Sequence, residues 1–400
     1  MEFEFNDEEA AYRREVREFV RDNLPAEWSG HMGFLQSDES FEFTRRFCQA
    51  LAEKGWLTMA WPKEYGGAEA GYWKQTIFRE EMWAQGEPRG PQYMSLNYIG
   101  PSIMEYGTPE QKAAFLPRIA GGTIVFCQGF SEPDAGTDLA SLKTAALRQG
   151  DEYVINGEKI WTSYAHKADY CYLLARSDPE APKHKGISLF LVPMDTPGIT
   201  VRPIRSMSGW GDINNVFFDD VHVPVGARLG PEHGGWYVAT GSLNNERIGV
   251  ARWARAKALI DTLVELVDKP LPNGRRLADE PRVRQKLADL EISFRAARLM
   301  NYRVVSQIEE GLQPSWEASL ARLHSVLLDQ KVAAVGLEIL GHYGLMRHEA
   351  GQDGDAAGIS GLDGAFEGAW RGAIPATIAA GTIEIQKNLI ANRGLGLPRS

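Results

Sequence analysis

The chain has 400 residues, 44% hydrophobic and 24% charged, a balance that excludes disorder over most of its length and allows two or three domains with a sizeable core. Lysine and arginine number 43 and the acidic residues 53, a formal charge of −10, which argues against broad binding to nucleic acid or an anionic membrane. Three cysteines without a CxxC pair (Cys48, Cys127 and Cys171) point away from a disulfide framework or cysteine-zinc site and suit a reducing cytoplasm, while the charged segment 1–24 lacks a signal-peptide core and no run of 18 apolar residues marks a membrane span.

The first zone, to about Gly122, reads as helical. Asn6 with Glu9 three residues on has the form of a capping box, and Tyr12, Val16, Phe19 and Val20 follow at helical spacing. Phe41–Gly55, Gln75–Gln85 and Tyr98–Tyr106 are further helices, and Pro109–Leu116 a short one with proline in its first turn. From about Thr123 to Gly230 the pattern changes to strands. Tyr153–Ile155, Asn156-Gly157 and Lys159–Trp161 read as a hairpin whose turn needs positive φ. Tyr170–Ala175, Ile187–Val192, Ile199–Ile204 and Val216–Val223 are four more strands, punctuated by Pro and Gly, which suggests an antiparallel sandwich or barrel.

From about Gly235 the chain is helical again. Val283, Leu287, Leu290, Phe294 and Ala297 recur by four and three, the mark of a long helix with one buried stripe. Leu320, Leu323, Leu327, Val332 and Leu340 suggest another. Gly351–Gly372 is rich in Gly, Ala and Asp, without period, and reads as a loop. A last helix is expected over Thr382–Asn392. There is no internal repeat. The fold class is therefore α+β, with a helical domain over 1–122, an antiparallel β domain over 123–232 and a helical bundle over 233–400.

Two stretches carry candidate chemistry. Gly129–Asp138 mixes small residues, hydroxyls and turn formers; it reads either as a surface turn or as a set of backbone donors for a phosphate or an acceptor-rich ring edge. Trp161-Thr162-Ser163 reads either as a tryptophan packed on the sheet or as an aromatic wall beside a planar cofactor, with a hydroxyl reaching a ring atom.

These stretches, with Asn156–Ser163, the run Asn215–Pro224 and the tail Ala380-Gly381-Thr382-Ile383-Glu384-Ile385-Gln386, resemble the acyl-CoA dehydrogenase family. The motifs stand in the family's order, the likeness covers nearly the whole chain, and the three-zone layout is that family's fold. The resemblance implies bound FAD, an acyl-CoA thioester substrate and α,β-dehydrogenation to a trans-2-enoyl-CoA. It implies that Gln128, Phe130 and Ser131 line the flavin, that Trp161 and Ser163 flank its ring, and that Thr382 and Glu384 contact it from the last helix. Thr137 would face the CoA part of the substrate. Phe130 stands where the family usually has an aliphatic residue. An electron-transferring flavoprotein is the implied electron acceptor, and the implied setting is lipid β-oxidation in the cytoplasm.

The chemistry requires a base. A thioester α-proton is a poor acid, so a carboxylate must be held close to it, best with its pKa raised by an apolar pocket. The developing enolate oxygen needs donors. The family usually places a Glu just before the Gly-Thr of the tail; here that residue is Ala380, which keeps its N–H but cannot accept a proton. By pattern the pair Glu246-Arg247 reads as a solvated helix face; but other members carry the base on a helix early in the third zone, and Leu243-Asn244-Asn245-Glu246-Arg247-Ile248-Gly249 matches them, which implies Glu246 as the base and Arg247 orienting neighbours or substrate.

The family also builds each flavin site from two subunits. The neighbour's usual Arg-x-x-Phe-Gly is missing from Val267–Leu277, and its Gln-x-x-Gly-Gly-x-Gly reads Glu338-Ile339-Leu340-Gly341-His342-Tyr343-Gly344. An anionic Glu repels a pyrophosphate, and a histidine Cβ blocks close backbone approach. The chain thus keeps what holds its own flavin and lacks what is lent to a neighbour, which resembles one subunit of the α2β2 dehydrogenases acting on steroid side chains. The alternatives are a homotetramer using Arg275 or Arg276, and a catalytically silent, FAD-binding or structural subunit.

Overall fold

The computed structural model describes residues 5–25, 28, 38–207, 213–246, 251–271, 273–345 and 364–398. In chain order the helices and strands are α1 (Asp7–Asn23), α2 (Asp38–Glu53), α3 (Tyr72–Ala84), α4 (Gly100–Tyr106) and α5 (Pro109–Ala120). Then follow β1 (Phe126–Gly129), β2 (Ala145–Gln149), β3 (Glu152–Ser163), β4 (Tyr170–Arg176), β5 (Ile187–Pro193), β6 (Ile199–Ile204), β7 (Ile213–Pro224) and β8 (Arg228–Leu229). The remaining helices are α6 (Gly235–Glu246), α7 (Arg252–Asp268), α8 (Pro281–Glu309), α9 (Trp316–Leu340), α10 (Ala365–Ala376) and α11 (Ile383–Leu389). They form the helical, β and helical zones expected of the α+β class. Among the described residues no helix is long and apolar enough to cross a membrane.

Two compact units share these elements: a helical one from Met1–Met32, Tyr72–Glu87 and Val250–Ser400, and one built on the sheet, from Gly33–Gly71 and Pro88–Gly249. In the helical unit, α1 opens on the expected capping box, with Asn6 Oδ1 accepting from the Glu9 N–H at 2.8 Å and Glu9 Oε2 from the Asn6 N–H at 3.0 Å. Its apolar stripe buries Val16 and Val20. Helix α8 buries Val283, Leu290, Phe294 and Ala297 at the predicted spacing. Helix α9 buries a broad face, including Ala321, Val326, Val332, Gly336 and Leu340, and leaves His324, Leu327 and Glu338 exposed.

The end of the Gly351–Gly372 stretch corrects the sequence reading. Residues 351–363 lie outside the described residues, but α10 begins at Ala365 and buries Phe366, Gly372 and Ala373. The glycines hid a helical stripe. Phe366 lies against Gly336 of α9, where a Cβ would be 2.1 Å from the ring.

In the sheet unit the strand order is β6-β7-β3-β2-β4-β5-β8, with β1 beside β4. The pairs are antiparallel apart from β1–β4 and the single β2–β4 pairing. Ile155, Phe190, Val216 and Val221 belong to its buried core. The predicted Asn156-Gly157 hairpin turn is also corrected. The turn lies earlier, at Gly150-Asp151, between Gln149 and Glu152, which pair directly; Gly150 has φ +62°. Asn156-Gly157 sits inside β3, where the register against β7 shifts. Asn156 Nδ2 donates to Asp220 Oδ1 at 3.0 Å, and the Asp220 N–H donates to Asn156 Oδ1 at 2.9 Å. At this bulge the Asn156 side chain takes over the Asp220 N–H of the opposite strand, and the Asp220 carboxylate in turn holds the Asn156 amide.

Gly157 has φ +148°, and a Cβ there would lie 2.7 Å from Thr144 Cα. Gly157→Ala is expected to destabilise the protein by about 2–3 kcal/mol, the range for combined backbone strain and overpacking. A melting temperature within 1 °C or so of the parent would contradict this, since each kcal/mol moves a domain of this size by roughly 2–4 °C.

Candidate active site

In the sheet unit, the segment after β1 runs beside the end of β3. The Ile160 N–H donates to the Ser131 carbonyl at 2.9 Å, and Lys159 Nζ donates to the Phe130 carbonyl at 3.0 Å. Gly129 is required here, because a Cβ would meet Cys171 Sγ at 2.7 Å. The Phe130 ring is buried and stacks on Tyr172, with centroids 5.8 Å apart. Its side chain therefore belongs to the core, and Phe130 offers a ligand only its backbone. Gln128 Oε1 accepts from the Tyr98 hydroxyl at 3.1 Å. Glu132 and Ala135 exchange two backbone hydrogen bonds of 3.0 Å, closing a tight turn, and Thr137 is exposed beyond it.

Trp161 is 57% exposed at φ +60°, a conformation that costs a bulky L-residue about 1–2 kcal/mol. It sits where the β3–β7 register shifts between Lys159 and Thr162. Both sides are fixed: Lys159 before it is fully buried, and the Thr162 carbonyl after it accepts from Asn214 Nδ2 at 3.0 Å. Strain of this kind persists when its surroundings over-determine it, and it concentrates at binding sites. The Ser163 hydroxyl and the Ser131 N–H, on the two adjoining segments, donate to none of the described residues. An uncovered indole, with one such donor two residues on along β3 and another on the segment beside it, fits a planar ring bearing acceptor atoms.

Helix α6 belongs to the same unit. Gly235 brings its first turn so close to β5 that a Cβ would lie 2.4 Å from the Ser188 carbonyl carbon. The buried Ser188 Oγ accepts from the His233 N–H at 2.9 Å and meets Ser177 Oγ at 2.6 Å. Ser177 also meets His233 Nδ1 at 2.8 Å. The helix so anchored ends at Glu246. Arg247 lies outside the described residues.

In the helical unit, Ala380 (φ +53°) and Gly381 (φ +92°) make a left-handed turn into α11. Arg322 of α9 donates to the Ala379 carbonyl at 2.5 Å, and Gln386 Nε2 to the Gly381 carbonyl at 3.3 Å. The Ala380 N–H has no partner among the described residues. Thr382 caps α11, its Oγ1 accepting from the Ile385 N–H at 3.3 Å. The exposed Glu384 carboxyl is held below its usual range by its own backbone N–H and by the Thr382 hydroxyl. Thr382 and Glu384 therefore act locally as a helix start, and what they offer a ligand is their exposed edge.

The segments that stand where the family lends residues to a neighbour make their ion pairs within the helical unit. Glu338 accepts from Lys286 Nζ at 2.7 Å, and that bond holds its carboxyl below the usual range. Arg276 is held by Asp268 at 3.0 Å and Asp279 at 2.8 Å, and Arg275 lies 3.7 Å from Glu280.

Sequence reasoning missed the pair that joins the two flavin-side segments, Lys159 and Glu132. The Lys159 side chain has no exposed surface, and its Nζ donates to Glu132 Oε1 at 2.8 Å. Glu132 also accepts from the N–H groups of Lys143 at 2.6 Å and Thr144 at 2.8 Å. Burial lowers the Lys159 pKa, opposed by Glu132. Burial pushes Glu132 up, but Lys159 and the donors on Thr144 and Lys143 outweigh it, and its carboxyl lies below the ordinary range. The available signal was a lysine in phase with the buried Tyr153 and Ile155 on one strand.

Comparisons with known proteins follow this geometry. Models of the acyl-CoA dehydrogenase N-terminal, middle and C-terminal domains match residues 6–123, 127–221 and 233–395. The chain is 34% identical to the acyl-CoA dehydrogenase FadE26 of Mycobacterium tuberculosis, with all of both chains covered. It is 30% identical to the human mitochondrial short-chain specific acyl-CoA dehydrogenase, over 91% of this chain and 86% of that one. Among solved structures it superposes on the Tcur3481-Tcur3483 steroid ACAD with a TM-score of 0.90 and 35% identity, all of both chains being covered.

Proposed function

The chain belongs to the acyl-CoA dehydrogenase family, and from that premise we propose that it takes part in FAD-dependent α,β-dehydrogenation of an acyl-CoA thioester, with Glu246 as the α-proton base. The observation that carries the reading is the uncovered Trp161 in a left-handed conformation, with the unspent Ser131 N–H and Ser163 hydroxyl on the segments beside it. Phe130 and Ser131 would contact the flavin through their backbone, Gln128 would line it, and Trp161 and Ser163 would flank its ring. Thr382 and Glu384 would meet it from the start of α11. FAD, when bound, supplies the two-electron acceptor for the substrate β-carbon.

The chain's own groups do the rest. Ala380 removes the carboxylate from the tail but keeps an N–H, without a partner among the described residues, that would donate to the thioester oxygen, where negative charge develops as the α-proton leaves. Glu246 accepts that proton. Thr137 faces the CoA moiety, and Arg247 orients the substrate. An electron-transferring flavoprotein would be the electron acceptor.

We further read the chain as one subunit of an α2β2 enzyme acting on a steroid side-chain thioester. Two observations support this: Glu338 and Arg276 are tied up within their own unit, and the structural relatives include the steroid ACAD named above. The test is FAD content, with the chain purified alone and co-expressed with a related chain from its source. Little flavin alone and one FAD per site in the complex, bleached anaerobically by a steroid side-chain acyl-CoA, is the expected result. One FAD per chain alone would overturn the heteromer. A flavin that no acyl-CoA bleaches, in the complex as well, would make this a silent subunit.

A further inference from the structure

The buried pair Lys159–Glu132 has no part in the chemistry proposed above, yet it lies between the two segments that would hold the flavin. Three of its bonds go to backbone. Lys159 Nζ donates to the Phe130 carbonyl at 3.0 Å, and Glu132 accepts from the Lys143 and Thr144 N–H groups. One residue beyond the lysine, the Ile160 N–H holds the Ser131 carbonyl; two beyond it stands Trp161 in its strained conformation. A charge pair taken wholly out of water is a poor source of net stability, since desolvation offsets most of the attraction. What such a pair does supply is fixed geometry, because its donors and acceptors have one satisfactory arrangement.

We propose that Lys159 is a positioning residue for the flavin. Its side-chain nitrogen pins the Phe130 carbonyl, which sets the Ser131 N–H and the Trp161 indole at one spacing, while Glu132 contributes stability by joining that nitrogen to the 143–144 strand entry. Lys159 itself touches neither flavin nor substrate, and the inference rests on the flavin reading above. A ring bound between two segments is sensitive to their separation, and a loosened cradle loses affinity through the ordering it must then undergo on binding.

The experiment separates this role from a structural one. In the assembled enzyme, apoprotein is titrated with FAD by fluorescence, and melting temperature is recorded in parallel. The variants are Lys159→Met, Glu132→Gln and the double variant. Lys159→Met leaves a buried carboxylate unpaired and is expected both to melt lower and to bind FAD at least about tenfold more weakly. Glu132→Gln keeps the Lys159–Phe130 bond and is expected to melt lower with FAD affinity within about threefold of the parent. The double variant carries no buried charge, so it is expected to regain melting temperature without regaining affinity, and its bound flavin to show a shifted visible spectrum. Recovery of both in the double variant, or equal loss of FAD in Glu132→Gln and Lys159→Met, would overturn the proposal and make the pair a stability element. The double variant keeps the question decidable if Lys159→Met does not fold. A parent enzyme that binds no FAD would overturn the flavin reading itself, and is seen before any variant is compared.

Discussion

Replacing Glu246 by glutamine is expected to slow anaerobic reduction of the flavin by acyl-CoA by about 10³-fold or more, the upper part of the range for loss of a positioned general base, equivalent to about 4 kcal/mol of barrier. Glutamine keeps the side-chain volume and a hydrogen-bonding end, and removes only the capacity to take a proton. FAD content and melting temperature should therefore stay near the parent's. The size of the loss follows from the tail: with Ala380 in the left-handed turn before α11, no carboxylate stands there to take over. Substrate affinity, followed by the charge-transfer or quenching signal of the bound thioester, should change by only a few fold, because the α-proton is released after binding. Bleaching at the parent's rate in Glu246→Gln would remove this residue from the role and return attention to the partner chain.

The parts of the fold legible in the sequence were those with a long period. The buried stripe of α8 and the Asn6–Glu9 capping box needed no tertiary information. Short or locally ambiguous segments were less legible. Strand β1 is four residues long and pairs in parallel with β4, so no turn in the sequence announces it. Asn156-Gly157 has hairpin chemistry, but Asp220 sits opposite and converts it to a bulge, a fact that only the β3–β7 pairing reveals. In α10 the glycines outweigh Phe366 in any local reading, although Phe366 is the residue that seats the helix on α9. For the candidate site, the motifs named Trp161 and Ser163 but not their strain or their unspent donors. The motif gives Phe130 a backbone role and leaves its ring without one; the stack on Tyr172 accounts for the ring as part of the core. The Lys159–Glu132 pair joins residues 27 apart in sequence, and a register is needed to bring such residues together.

The largest expected effect on stability lies in the helical unit, at Glu80. This carboxylate is 5% exposed, and four helices converge on it. Its Oε1 accepts from Trp253 Nε1 of α7 and from the Tyr302 hydroxyl of α8, both at 2.8 Å, and Arg13 of α1 pairs with it from the other side. Arg13 also reaches Glu81 at 2.9 Å, which holds Arg17 at the same distance. Burial, and then the Glu80 charge, raise the Tyr302 pKa, so its phenol remains a donor throughout the working pH range. Glu80→Ala strips an indole N–H, a phenol and a guanidinium of their shared acceptor at once. Breaking a buried pair from one side typically costs about 3–5 kcal/mol, because the remaining groups stay desolvated and unpaired. At roughly 2–4 °C per kcal/mol, the expected fall in melting temperature is on the order of 10 °C. Glu80→Gln retains an acceptor oxygen for one of the neutral donors and should lose markedly less. In the Arg13→Ala background, Glu80→Ala should in turn cost less than it does alone, since one of the three groups it deprives of an acceptor is already gone. Additive losses in that double variant, or a fall of only 1–2 °C in Glu80→Ala, would mean that water replaces the carboxylate and that the four helices are held by their apolar contacts alone.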